Sequence, residues 1–207
     1  MMPRIDNDDN TITWVEGFEN GDNNKKYHVY YFDFIKDEPV KVAEINRYYN
    51  PFNVIHIRNR NICYPDEIDG VWTINVVDID SNKKTTIKTH EGTNTEFVCS
   101  NGKYIAWAEF IGNFNPDDKL YIFDIEENKI TLIDTGIDFF DFSQDNLIYS
   151  KSGDLYVYNT KNREKSCITA DRDEYFFGFN CHKGRIVCSV NDPDEGCKIL
   201  ILEAVEQ

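Results

Sequence analysis

Five segments of this chain share one pattern that few folds can accommodate: a short strand, apolar on both faces, that closes on a polar residue. The clearest is Leu120-Tyr-Ile-Phe-Asp124, which a polar turn, Glu126-Glu127-Asn128-Lys129, joins to the apolar return Ile130 to Ile133. Two and four residues before Asp124 stand Ile122 and Leu120. The same offsets give Tyr31 and Val29 before Asp33, Val76 and Ile74 before Asp78, Val157 and Leu155 before Asn159, and Ile201 and Ile199 before Glu203. The alternate positions carry Tyr30/Phe32, Asn75/Val77, Tyr121/Phe123, Tyr156/Tyr158 and Leu200/Leu202. A strand apolar on both sides must be covered on both sides, which excludes a single solvent-facing sheet.

The polar anchors, at 33, 78, 124, 159 and 203, are 45, 46, 35 and 44 residues apart. That period suits a four-stranded propeller blade and is too long for a leucine-rich repeat. A second strand precedes each anchor strand, with Ile12/Trp14, Ile62/Tyr64, Ile105/Trp107, Leu147/Tyr149 and Ile186/Cys188 at matching places. Seven residues earlier again come Ile5, Ile55, Val98, Phe140 and Phe179, marking a third, innermost strand. The expectation is an all-β chain: one β-propeller domain over 1–207, made of five four-stranded blades and no appreciable helix. The blades run approximately 2–45, 46–89, 90–134, 135–170 and 171–205, and the last lacks its outer strand. Pro65, just after Tyr64, is expected to end its strand or mark a bulge.

A length of 207 residues with 41% hydrophobic and 14% aromatic content suffices for a sizeable core. No apolar run approaches the roughly 18 residues needed to span a bilayer, and residues 1–10 lack the apolar core of a secretory signal. A cytoplasmic chain without membrane insertion is expected. The cysteines at 63, 99, 167, 181, 188 and 197 form no Cys-x-x-Cys pair. Cys63, Cys99, Cys167 and Cys188 take strand positions that are apolar in other units, so free, mostly buried thiols are expected.

At Pro3-Arg4-Ile5, Ile12-Thr-Trp14, Ile105-Ala-Trp107 and Leu120-Tyr-Ile-Phe-Asp124 the sequence resembles the repeats of TolB-like β-propellers. The likeness spans nearly the whole chain and thins in the fifth unit, where Cys188 replaces the aromatic. It implies a fold and only broad roles: protein-binding platforms, peptidase lids and envelope-associated modules.

Motifs of catalysis are sparse. Asp6-Asn-Asp-Asp-Asn10 and Asp78-Ile-Asp-Ser-Asn82 begin like calcium loops but lack Gly at the sixth and Glu at the twelfth position, so both read as turns and no metal or other cofactor is expected. His28, His56, His90 and His182 fall in different units. Neither a nucleophile elbow nor a phosphate-binding glycine loop is present. Glu96, Asp138, Asp141 and Glu174 lie on or next to the innermost strands, where a glycosidase would hold its paired carboxylates. That enzyme is one alternative; a structural fragment of a larger propeller is another.

The principal expectation is a binding scaffold. Loops joining second to third strands and loops entering each first strand emerge together, rich in acid and poor in base, so the net charge of −15 is expected to concentrate on that face. The opposite loops hold Lys36, Arg58, Arg60, Lys103, Lys161, Arg163, Lys165 and other bases. An acidic face repels nucleic acid and favours a basic protein or peptide partner. Tyr48, Tyr49, Phe110 and Phe114 are the candidate anchors within those loops, with Glu96, Asp138 and Glu174 beside them.

Overall fold

The computed structural model describes residues 5–19, 25–45, 55–95, 97–111, 116–170, 172, 174–182, 184–194 and 196–203. These residues form five antiparallel sheets in chain order. The first holds β1 (Ile5–Asp8), β2 (Thr11–Glu19), β3 (Lys25–Asp33) and β4 (Glu38–Ile45), and the second β5 (His56–Arg58), β6 (Asn61–Ile68), β7 (Val71–Asp78) and β8 (Lys83–Lys88). The third holds β9 (Val98–Ser100), β10 (Tyr104–Glu109), β11 (Lys119–Asp124) and β12 (Lys129–Thr135). The fourth holds β13 (Phe140–Ser143), β14 (Asn146–Lys151), β15 (Asp154–Asn159) and β16 (Lys165–Cys167), and the fifth only β17 (Tyr175–His182), β18 (Arg185–Asp192) and β19 (Gly196–Glu203). Within each sheet the strands follow sequence order, so each is a simple meander. Among the described residues there is no helix, and so none long and apolar enough to cross a membrane.

The repeated polar anchor has a local cause. Asp78 Oδ1 accepts from the N–H groups of Asp80 and Ser81 at 2.9 and 3.1 Å, Asp124 Oδ1 from Glu126 and Glu127 at 2.9 Å, and Asn159 Oδ1 from Lys161 and Asn162 at 2.9 and 3.2 Å. Asp33 Oδ1 takes the N–H of Ile35 at 2.9 Å. A short acceptor at the strand end satisfies the backbone of the hairpin turn, which is why Asp or Asn recurs at that step.

The sheets stack around a centre. Strand β1 abuts β5, β5 abuts β9, β9 abuts β13 and β13 abuts β17, so the innermost strands are those around Ile5, Ile55, Val98, Phe140 and Phe179. The forward face of each of the first four sheets packs on the rear face of the next. Val29 and Tyr31 meet Ile62 and Tyr64; Ile74 and Val76 meet Ile105 and Trp107; Leu120 and Ile122 meet Leu147 and Tyr149; Leu155 meets Ile186 and Cys188. On the rear faces an aromatic pair recurs: Trp14 on Tyr30 at 5.5 Å, Trp107 on Tyr121 at 5.5 Å and Tyr149 on Tyr156 at 5.4 Å. This arrangement is a β-propeller.

Pro65 does not end its strand. β6 continues to Ile68 in unbroken register with β7. Its pairing with β5 stops at Cys63, so Pro65 lies on a free edge where no N–H is required.

Candidate functional site

The innermost strands enclose a polar cavity of about 290 Å³ lined by residues of all five sheets: Ile5 and Asp6, His56 and Arg58, Ser100, Asp141, and Asn180 and Cys181 among them. One repeat position supplies most of the polar lining. Asp6, His56, Asp141 and Asn180 each follow directly on the apolar residue that marks an inner strand.

The two carboxylates there do the same structural work. Asp6 Oδ2 accepts from the backbone N–H of Ile57 in the next sheet at 2.9 Å, and Asp141 Oδ2 from that of Cys181 in the next sheet at 3.2 Å. Ile57 and Cys181 are themselves equivalent, each two residues past the inner apolar marker. Asp6 also binds the Arg58 guanidinium at 2.8 Å, and Arg58 donates to the carbonyl of Asn7 at 3.0 Å. Asp141 Oδ1 takes the N–H of Phe142 at 2.8 Å. Burial raises the Asp141 carboxyl above the ordinary carboxylate value, an effect that these two N–H donors oppose.

His56 stands with Nδ1 3.6 Å from Asp6 Oδ2, and that nitrogen is buried without a hydrogen-bond partner. Burial drives its pKa down to about 4, against the opposing pull of Asp6, so the ring is neutral at pH 7. Burial likewise pushes the thiols of Cys63, Cys99 and Cys181 up, leaving them poor nucleophiles. Among the described residues, no three His, Cys, Asp or Glu side chains converge as a metal site would require.

The second region is the rim formed by the loops between second and third strands and those entering each first strand. Exposed apolar side chains stand there: Ile68, Ile111, Phe139, Ile168 and Tyr175. Exposed Asp69, Glu91, Asp117 and Asp194 share the rim, with Arg172 among them. The rim is less acidic than its sequence implies, because several of its carboxylates face inward. Asp118 is buried and caps the N–H of Ile111 at 2.8 Å, and Asp66 is buried. Asp134 accepts from Tyr149 Oη at 2.8 Å, Lys151 at 2.8 Å and Lys165 at 2.9 Å. Lys165, which the loop pattern assigns to the opposite face, therefore reaches Asp134 from the neighbouring sheet.

Of the residues singled out in the sequence, Tyr48, Tyr49, Phe114 and Glu96 lie outside the described residues. Phe110 is half-buried in the core between the third and fourth sheets, its backbone bridged to Asn94 and its ring 6.3 Å from that of Phe97, so most of its surface is already used. Asp138 is half-buried in the loop before β13, its carboxyl raised by burial and then by Asp118. Glu174 is held 3.6 Å from Arg172 and 3.7 Å from Lys198. Neither lines the central cavity among the described residues; of the four carboxylates that the sequence places at glycosidase-like positions, Asp141 is the one that does.

Asp6, His56 and Arg58 were missed as cavity residues. The signal was available: His56 and Arg58 flank Ile57 at a spacing of two on an inner strand, so the pleat sends them to the side opposite Ile57.

No protein-family model and no curated protein matches the sequence. Solved structures do. The β-propeller domain of the Trilobed protease from Pyrococcus furiosus superposes with a TM-score of 0.65 at 15% identity, over 99% of this chain and 67% of that one. Oligogalacturonate lyase in complex with manganese gives 0.63 at 11% identity, over 100% and 65%. TolB from Acinetobacter baumannii gives 0.54 at 12% identity, over 96% and 55%. The chain thus spans about two thirds or less of the length of these structures. At such identities the similarity reports architecture, and the architecture it reports is the all-β propeller that the five stacked sheets display.

Proposed function

We propose that this chain is a TolB-like repeat propeller that works as a non-catalytic scaffold, binding a basic protein or peptide on the rim that carries Ile68, Ile111, Phe139, Ile168 and Tyr175. The observation that carries this reading is the exposure of those five side chains on one rim together with Asp69, Glu91, Asp117 and Asp194. Apolar anchors ringed by acid suit a ligand that buries aliphatic or aromatic groups and presents lysine or arginine around them. The cavity carboxylates support the same reading. Asp6 and Asp141 are spent on equivalent backbone N–H groups of the next sheet, a use that the repeat itself explains without chemistry.

The test is a panel of fluorescent peptides in which Lys/Arg-rich members carrying Leu, Phe or Trp are matched with counterparts bearing Glu in place of the basic residues. Basic members should bind, weaken with salt, and lose about tenfold or more in affinity to the Ile111→Ser/Phe139→Ser/Tyr175→Ser variant. Equal binding of acidic and basic members, or unchanged affinity in the variant, would sink the proposal.

A further inference from the structure

Two carboxylates hold equivalent places in the central cavity, yet only one has its charge matched. Asp6 and Asp141 each follow the inner apolar marker of their sheet, and each caps a backbone N–H of the next sheet, that of Ile57 or Cys181. The residue after that N–H donor differs. After Ile57 comes Arg58, whose guanidinium binds Asp6 at 2.8 Å; after Cys181 the same repeat position holds His182, a residue type without a fixed charge. Among the described residues Asp141 makes no ion pair, and its two oxygens accept only the N–H groups of Phe142 and Cys181. Two backbone dipoles ease the burial of a charge without neutralising it, and each oxygen keeps a lone pair to offer.

The surrounding groups add acceptors and no second charge. Asp6 and Arg58 act on Asp141 in opposite directions from the far wall, so as a pair they largely cancel there. His56 is neutral, and its Nδ1 is sealed from solvent 3.6 Å from Asp6 Oδ2. That carboxylate favours the tautomer protonated at Nδ1, so the part of the ring that lines the cavity presents the Nε2 lone pair. Asn180, exposed in the cavity and next to Cys181, offers its amide oxygen. The described lining therefore carries one unmatched negative charge, and buried charges call for a partner. Volume decides which kind. The cavity of about 290 Å³ exceeds the roughly 150 Å³ that suffices for benzene, so it has room for an organic body. Among the described residues no three His, Cys, Asp or Glu converge on a metal ion.

We propose that the central cavity binds a small primary amine, its ammonium group on Asp141 with Asn180 and His56 as further acceptors, and its carbon chain against Ile5, Ile55 and Phe142. The repeat explains why a carboxylate stands at this position; it does not explain why the cation that accompanies Asp6 is missing beside Asp141. An amine supplies that cation from outside. None of these residues belongs to the apolar rim set, so the amine site and the peptide rim stand or fall separately.

Calorimetric titration at pH 7 with n-butylamine hydrochloride tests the site, with n-butanol, sodium butyrate and potassium chloride as matched probes. Butylammonium should bind saturably with a dissociation constant of about 10 mM or below, and the other three should not bind. Asn180→Lys brings a fixed cation to the wall that Asp141 caps and, being an exposed change, should leave circular dichroism unaltered while weakening butylammonium about tenfold or more. Asp141→Asn, which removes the charge and keeps one acceptor oxygen, should do the same; if it fails to fold, Asn180→Lys decides alone. The Ile111→Ser/Phe139→Ser/Tyr175→Ser rim variant should bind butylammonium like the parent. No binding up to about 100 mM, equal binding of butanol, undiminished binding to folded Asn180→Lys, or loss of binding in the rim variant would each overturn the proposal.

Discussion

The third and fifth sheets have nearly the same strand pattern, yet one is covered on both faces and the other on one. In the third sheet the rear pair Ile105/Trp107 seats on the second sheet and the forward pair Leu120/Ile122 on the fourth. In the fifth, Ile186/Cys188 seats on the fourth sheet while Ile199/Ile201 faces outward. The comparison teaches that the doubly apolar strand is a property of the repeat and not of its final environment. Burial is conferred by a neighbouring sheet, and the sequence of one unit carries no mark of whether that neighbour is present.

The sharpest way to break the comparison is to remove the same ring where it is covered and where it is not. Trp107→Ala should cost about 3–5 kcal/mol in chemical unfolding, because the cavity it leaves lies between two packed sheets. Trp14→Ala, at the equivalent but half-open place, should cost less than half as much. Similar losses would mean that the preceding sheet adds nothing to the site. Leu120→Ala should likewise cost about 2–5 kcal/mol, whereas Ile199→Ala measured on the dilute chain should stay within about 0.5 kcal/mol of the parent, as exposed substitutions do.

A smaller effect sharpens the contrast in ionic contacts. Asp134 ties the third sheet to Tyr149, Lys151 and Lys165 of the fourth, whereas Lys198 of the fifth sheet pairs with Asp192 and Glu174 of its own region. Burial works against the Asp134 charge, but the Lys151, Lys165 and Tyr149 hydrogen bonds outweigh it and hold its carboxyl well below the usual value of 3.8. A lowered folded pKa means stability that is present above the unfolded value and is lost as pH falls below about 4. Asp134→Asn should remove about 1–3 kcal/mol at pH 7 and flatten that acid limb.

An effect absent at pH 7 and confined to acid pH belongs to the first junction. His56, with its pKa lowered to about 4, resists protonation in the fold while the unfolded chain takes up a proton near 6.5, so stability should fall as pH drops from 6.5 towards 4. The slope from this group is at most about 1.4 kcal/mol per pH unit. His56→Gln should abolish that component; an unchanged slope would show that His56 is not neutral in the fold.

Most of the architecture was legible because it follows from period and offset. Strand identity, the order of strands within a unit and the innermost positions all derive from residues repeating at fixed distances, and a repeat reinforces each weak local signal. The site was less legible, for three physical reasons. Asp6 and Asp141 look like catalytic candidates or turn residues until the next sheet is in place to donate its N–H. Asp118 and Asp134 count as rim acids in a loop tally, although their short side chains turn inward to satisfy nearby donors. Phe110 reads as an exposed anchor, but its backbone bridge to Asn94 folds it against Phe97 and the core. In each case a long-range partner, invisible to local spacing, decides where the side chain goes.

Native cysteines allow the central claim, that forward faces are covered only where a further sheet follows, to be tested most directly. Cys63 and Cys99 lie on the covered forward faces of the second and third sheets, and Cys197 lies on the uncovered forward face of the fifth. Alkylation of the dilute native chain, resolved by residue with mass spectrometry, should modify Cys197 rapidly and leave Cys63 and Cys99 intact until denaturant is added. Equal protection of Cys197 and Cys63, or equal reactivity of all three, would contradict the account.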